Sequence, residues 1–242
     1  MGREIELKLA LSREALARLL DSNLVERFDG TLSGPARLRS VYYDTPEQGL
    51  ARDGISFRIR SGTGRIVQTV KTPPAIESLA ADRGEWEWAL NQARPALDLL
   101  GDPPLRDIAK RARKDGLHPA FETVIDRRIA LLSHRGATVE LAADTGRIAT
   151  RTGARAALEV CEVELELKSG GVAALYAIAR EIVDGWEARV VLASKSERAY
   201  ALLRGVPQSV PVRAGKVELP RDIDARAALA SIVGHGLKHL AG

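Results

Sequence analysis

CEVELELKSG, residues 161–170, sets Glu162, Glu164 and Glu166 on alternate positions, with Val163, Leu165 and Leu167 between and after them. Side chains two apart on a strand share a face. The stretch therefore predicts a strand with an acidic row on one side and an apolar row on the other. REIELKLAL, residues 3–11, repeats the device: Glu4, Glu6 and Lys8 form the charged row, and Ile5, Leu7 and Leu9 the apolar one. Glutamates within one row stand about 7 Å apart, where an effective dielectric near 20 gives a repulsion of roughly 2 kcal/mol, between one and two pKa units. Something positive has to relieve it. Hard divalent cations such as Mg²⁺ or Mn²⁺ choose carboxylate oxygen and water, and two carboxylate pairs facing each other across a cavity would hold one or two of them.

The period-two pattern recurs along the chain. Further strands are expected at 38–45, 55–61, 65–72, 84–90, 121–132, 137–146 and 188–194, with a hairpin at Gly62 and Gly64 and a stop at Pro73-Pro74. Helical patterns are fewer. One runs from the N-cap Ser12 to about Asp21, a turn falls at 46–52, and one or two short helices fit 95–115. Another at 171–185 puts Leu175, Ile178, Ala179 and Ile182 on one face. Eight or so antiparallel strands with hairpin links predict closure, which removes sheet edges and fixes an inside and an outside. The expected class is α+β, an eight-stranded antiparallel β-barrel with flanking helices.

An alternating strand ordinarily turns its charges to water and its apolar row to the core. Here charges recur at one parity in strand after strand: Arg58 and Arg60, Lys71, Glu85 and Glu87, and Glu140 and Asp144 join the two rows above. A barrel with those rows inward is a polar tunnel, its apolar exterior covered by amphipathic helices. An eight-stranded interior is just wide enough for side chains or a small ligand. The expected ligand is thin, anionic and metal-bound.

Composition narrows the class. At 242 residues and 45% hydrophobic content the chain can bury a full core. No apolar run nears the ~20 residues of a membrane span, and the N-terminus passes directly into a charged strand. Cytoplasmic residence and no membrane association are expected. The single Cys161 cannot form an internal disulfide, no Cys/His spacing points to zinc, and its parity reads as packing. The net charge of +4 favours anionic partners. Nucleic acid is not expected, because aromatics are 4% of the chain and the basic residues are spread through strands.

Other residues take plainer roles. Trp86 and Trp88 oppose Glu85 and Glu87 in parity and are expected outside, beneath helices. His118 and His134 read as surface residues, and Asp44 and Thr45 as shaping a turn before Pro46. GVPQSVPVRAGKVELP, residues 205–220, reads as a linker between a tunnel domain at 1–204 and an amphipathic helix at 221–242. On that helix His235 and His239 are spaced i, i+4, which could ligate metal or meet phosphate, but they read as ordinary exposed side chains.

ExExK at 4–8, YYDT at 42–45, FRIR at 57–60, TVK at 69–71, the ExE at 85–87, the EVELELK row and SKSERAY at 194–200 together resemble the CYTH superfamily, the triphosphate tunnel metalloenzymes. The resemblance covers about residues 3–203. It implies an eight-stranded tunnel that binds a triphosphate with one or two divalent metals and usually hydrolyses inorganic triphosphate or a triphosphate ester. By motif, Glu4, Glu6, Glu162 and Glu164 would be metal ligands or their close neighbours, with Glu166 and Asp144 beside them. Lys8, Arg58, Arg60, Lys71, Arg127 and Lys195 would grip phosphate oxygens, together with Arg198 of SKSERAY, where Ala199 stands in place of the glycine typical of relatives.

Glu85 or Glu87 is the expected general base, and Lys8 is counted with the catalytic groups. Two other readings stay open: a module that binds polyphosphate or nucleotide without turnover, and another CYTH chemistry, adenylate cyclisation or thiamine triphosphate hydrolysis. The final helix resembles the opening of a CHAD domain, a helical module that would continue beyond the C-terminus.

Overall fold

The computed structural model describes residues 2–74, 79–151, 157–206, 217, 219, 220 and 222–241. Most of the expected linker at 205–220 lies outside the described residues, as does the side chain of His239. Eight strands, β1 (Gly2–Ala10), β2 (Ala36–Asp44), β3 (Ser56–Gly62), β4 (Arg65–Lys71), β5 (Ala81–Leu90), β6 (His118–His134), β7 (Ala137–Thr150) and β8 (Ala157–Ser169), run antiparallel in the order β5-β4-β3-β2-β6-β7-β8-β1. β1 closes the ring by splitting its two halves. Gly2 to Glu6 pair with β5, and Glu6 to Ala10 pair with β8. A two-residue β9 (Arg189–Val190) pairs with the end of β1. The eight-stranded antiparallel barrel expected from the alternation is present.

Local chemistry sets the helices. α1 (Arg13–Leu20) starts at Ser12, whose Oγ accepts from Ala15 N at 3.0 Å. The short helices α2 (Leu24–Arg27) and α3 (Gly49–Arg52) follow, then α4 (Leu105–Asp115) and α5 (Val172–Trp186). α5 buries Leu175, Ile178, Ala179 and Ile182 against Leu7, Leu9, Val163 and Leu165, the apolar rows of β1 and β8. α4 covers Phe57, Ile59, Val70 and Trp86 on the far side. The barrel's apolar face is thus its outer face, and the helices shield it from water.

The expected strand at 188–194 is cut to β9, and residues 195–203 are helical. Ser194 and Glu197 make a reciprocal cap: Ser194 Oγ accepts from Glu197 N at 3.2 Å, and Glu197 Oε2 accepts from Ser194 N at 2.7 Å. That box starts α6 (Lys195–Leu203). Ala199 and Tyr200 of α6 pack on Tyr42, Phe121, Ile125 and Ile148, so the helix stoppers one end of the barrel. The last helix, α7 (Ala225–Ala241), exposes Leu229, Ile232 and Val233.

Ile178 is fully buried between α5 and the barrel wall. Ile178→Ala is expected to cost about 2–5 kcal/mol in denaturant unfolding. A loss under about 1 kcal/mol would mean that α5 does not cover the barrel.

Candidate active site

The charged rows of β1, β3, β5, β7 and β8 singled out in the sequence point into the barrel. The lumen encloses a cavity of about 520 Å³, lined among the described residues by seven glutamates and nine lysines or arginines. The acids lie on the contiguous strands β7, β8, β1 and β5. β3 stands four places from β8 around the ring, so Arg58 and Arg60 face the glutamates of β8 across the lumen. The two carboxylate rows read from the sequence do not face each other. β1 and β8 are neighbours, with Glu6 opposite Glu166 and Lys8 opposite Glu164. The first strand is the one that closes the ring, a long-range pairing that local alternation does not encode.

Two ionic networks neutralise this acidic half. In the first, Lys195 Nζ lies 2.8 Å from both Asp144 Oδ2 and Glu164 Oε1 and also binds Glu162. Arg127 donates twice to Asp144, at 2.6 Å each, and also to Glu164, while Arg198 donates to Glu162. In the second, Lys71 Nζ donates to Glu4 at 2.6 Å and lies 3.1 Å from Glu85; Arg83 donates to Glu4 at 3.0 Å, and Lys8 pairs with Glu6. Nearer the rim, Glu166 pairs with Lys168 at 2.7 Å and Glu140 lies 3.6 Å from the same ammonium. Removing one member of such a buried pair typically costs about 3–5 kcal/mol, because the other charge is left uncompensated.

The titration behaviour follows from this sharing. Burial opposes the charge on Glu6, Glu164 and Glu85, but neighbouring lysines and arginines outweigh it and hold all three below the usual carboxylate range. Glu4 and Glu166 go the other way, raised chiefly by burial.

The opposite wall is short of counter-charge. Arg60 has no carboxylate within ion-pair distance among the described residues; its Nε donates to Ser40 Oγ at 3.3 Å. Burial, then repulsion from Arg58 and Arg127, pushes its guanidinium down to about 10. Arg58 Nε is buried with no hydrogen-bond partner, and its nearest carboxylates, Glu85 and Glu87, are 3.9 and 4.0 Å away. A cation taken from water and left unpaired is costly. An anion lying between Arg58, Arg60 and Arg127 would remove that cost and accept the planar, forked donors that suit phosphate.

All fifteen residues expected at the site belong to this one assembly, at different depths. Asp144, Glu162 and Arg198 sit behind Lys195, outside the open cavity, whereas the other twelve line it. Glu87 is half-exposed and accepts from Thr69 Oγ1 at 2.9 Å. Sequence reading missed Arg83 and Tyr42. Arg83 shares the parity of Glu85 but precedes the expected strand start, and β5 begins at Ala81. Tyr42 shares the parity of the inward rows, and its hydroxyl bonds to Arg58; burial works against the phenolate, but Arg58 lowers its pKa on balance.

Trp86 lies under α4 as expected. His118 is exposed, and His134 packs edge-on against Phe28. Cys161 is part-buried, which raises its thiol pKa.

The donor types suit a hard cation. Asp144, Glu162 and Glu164 each bring a carboxylate oxygen within 4.8 Å of the others, with no sulfur or imidazole among them, and the Lys195 ammonium stands between them where such an ion would have to enter. Glu6 Oε1 touches the Lys8 ammonium but is buried without a hydrogen bond of acceptable geometry, leaving an acceptor to be satisfied.

A closed barrel lined by acidic strands on one side and arginines on the other defines a charged tunnel. Residues 2–200 match the CYTH domain, and the chain belongs to that family. It is similar to the inorganic triphosphatase of Haemophilus influenzae, 28% identical over 204 residues, 84% of this chain and 55% of the relative. The chain thus spans about half the length of the curated relative it matches. Two solved structures share the fold. One is the Hippeastrum protein HpAC1, described as an adenylyl cyclase candidate with a dominant triphosphatase activity (TM-score 0.52, 18% identity, 84% of this chain and 97% of that one). The other is PH1819 of Pyrococcus horikoshii OT3 (TM-score 0.52, 18% identity, 84% and 99%). Among the described residues no helix is long and apolar enough to cross a membrane.

Carboxylates held below their ordinary pKa add stability that is complete above the unfolded value, 4.5 for Glu, and disappears as pH falls through the folded value. The unfolding temperature is expected to drop steeply below about pH 4.5. Glu164→Gln should be less stable at neutral pH and show a shallower acid slope. Equal slopes in the two proteins would contradict the network.

Proposed function

We propose that the chain is a metal-dependent inorganic triphosphatase that cleaves tripolyphosphate to pyrophosphate and phosphate inside the tunnel. The observation that carries this reading is Arg60, a buried guanidinium with no carboxylate within ion-pair distance among the described residues, flanked by Arg58 and Arg127 and opposite a cluster of carboxylates. The similarity to an inorganic triphosphatase supports it.

Arg58, Arg60 and Arg127, with Lys8, Lys71, Lys195 and Arg198, would bind the phosphate oxygens and align the chain along the tunnel axis. Glu4 and Glu6 on β1, with Asp144, Glu162, Glu164 and the more peripheral Glu166, would hold Mg²⁺ or Mn²⁺. When bound, that ion would supply Lewis acidity toward the phosphoryl group and the attacking water. Glu85 or Glu87 would take the water's proton. Glu85 is kept ionised by Lys71 and Arg58, so it is in its basic form at neutral pH although a weak base. Lys8, beside Glu6, would neutralise charge on the leaving pyrophosphate. The protein walls around the lumen would strengthen each of these contacts relative to bulk water.

The proposal extends to organisation. A tunnel domain at 1–204 would be joined by the 205–220 linker to a helix at 221–242 that opens a CHAD module. The exposed Leu229, Ile232 and Val233 of α7 suit a helix that packs on further helices. The site of action would be the cytoplasm, with a small triphosphate and no nucleic acid as partner.

A panel of tripolyphosphate, ATP, thiamine triphosphate and long polyphosphate, each with Mg²⁺ and with Mn²⁺, tests the reading. Phosphate release should be dominated by tripolyphosphate and abolished by chelation or by Glu4→Gln. Arg60→Ala should raise KM at least about tenfold, the loss of a charged phosphate contact. Tight tripolyphosphate binding without release would make the tunnel a binding module, and preference for an ester would move the protein to another CYTH chemistry.

A further inference from the structure

Lys195 and Arg198 reach the carboxylates from α6, and α6 belongs to no β-ladder. After β9 the chain makes one backbone bond to the barrel among the described residues, Val191 N to Lys8 O at 2.9 Å. The placement of α6 therefore depends on side chains, and the turn joining β2 to α3 supplies them. Asp44, 2% exposed, is the post of this turn. Its Oδ1 accepts from Thr45 N at 2.7 Å and Leu50 N at 2.8 Å, and its Oδ2 from Ala51 N at 3.1 Å. Three backbone donors fix a carboxylate more rigidly than any side-chain pair could. The same carboxylate faces the phenol of Tyr200, the sixth residue of α6, closely enough to raise its pKa.

A second contact holds the far end of the helix. Arg204 Nε donates to Gln48 Oε1 at 2.8 Å, and the guanidinium stacks 5.7 Å above the Tyr200 ring. The ring itself meets Phe121 edge-on at 5.2 Å. Burial, and then the charge on Asp44, raise the Tyr200 pKa, so the phenol stays a neutral donor at physiological pH.

We propose that Asp44 and Tyr200 are positioning residues that seat α6 and so hold Lys195 and Arg198 against the carboxylate cluster. The role assigned to Lys195 and Arg198 rests on the triphosphatase reading. The proposal joins YYDT and SKSERAY, 150 residues apart in the sequence, into one device: the first builds the post and the second brings the hydroxyl and the two cations on a single helix. Asp44 then does more than shape a turn before Pro46.

The test is a double-mutant cycle read in two ways, kcat/KM for tripolyphosphate and the calorimetric Kd for the same anion. Tyr200→Phe keeps the ring and its packing and deletes only the hydroxyl. It should weaken both quantities about tenfold, the scale of a lost hydrogen bond to a charged group. In a Lys195→Met/Arg198→Met background, where α6 carries nothing to position, the same change should alter Kd less than about twofold. A tenfold effect in both backgrounds, or none in the wild-type background, overturns the proposal. If Tyr200→Phe does not fold, Arg204→Ala at the exposed end of the dock takes its place in the cycle, with the same criterion of coupling against additivity. A wild-type protein that binds tripolyphosphate without hydrolysing it would fail the triphosphatase reading alone, since the Kd cycle still decides whether α6 is seated this way.

Discussion

Charges enclosed in a narrow lumen have to be compensated, because repulsion that water would screen persists there. Glutamates on alternate positions of β8 and β1 would be untenable as an isolated row. Lys195 and Arg127 from one side, and Lys71, Arg83 and Lys8 from the other, make them tolerable. The requirement reaches outward through the fold. Inward charge leaves the opposite parity of β1, β8 and β3 largely apolar, and α1, α4 and α5 cover it. It reaches along the chain as well, since α6 must arrive after the last long strand to bring Lys195 to Asp144 and Glu162.

Compensation is fuller on the acidic wall than around Arg60. Arg60 stands near Arg58 and Arg127 with no carboxylate within ion-pair distance among the described residues, and burial with that repulsion pushes its guanidinium down to about 10. A thin polyanion is the species that satisfies such a wall without disturbing the barrel. A hard cation bound with that anion would offset part of its negative charge.

Much of this was legible in the alternation itself. Glu162, Glu164 and Glu166 fixed a strand, the shared parity of Arg58, Arg60, Lys71 and Glu85 fixed an inside, and the face of Leu175 to Ile182 identified a covering helix. What stayed hidden was non-local. The β1–β8 adjacency turns expected opposing carboxylate rows into abutting ones, and it depends on ring closure between residues some 160 positions apart. Arg83 escaped because a strand start was placed at Gly84. The helical form of SKSERAY escaped because the motif is read for Lys195 and Arg198, whereas Ser194 and Glu197 are the two halves of a capping box. Asp44 was legible as a turn former, but its hydroxyl partner lies at the far end of the sequence.

The central claim is that the lumen is a balanced ionic channel awaiting an anion on one wall and a hard cation on the other. A crystal structure of the protein with a non-hydrolysable triphosphate analogue and Mn²⁺ tests it most directly, through the anomalous signal of manganese. The account predicts phosphate oxygens between Arg58, Arg60 and Arg127, and manganese on the carboxylates of β1 and β8. Density for the analogue on the outer face of the barrel, with the lumen's ion pairs undisturbed, would contradict it.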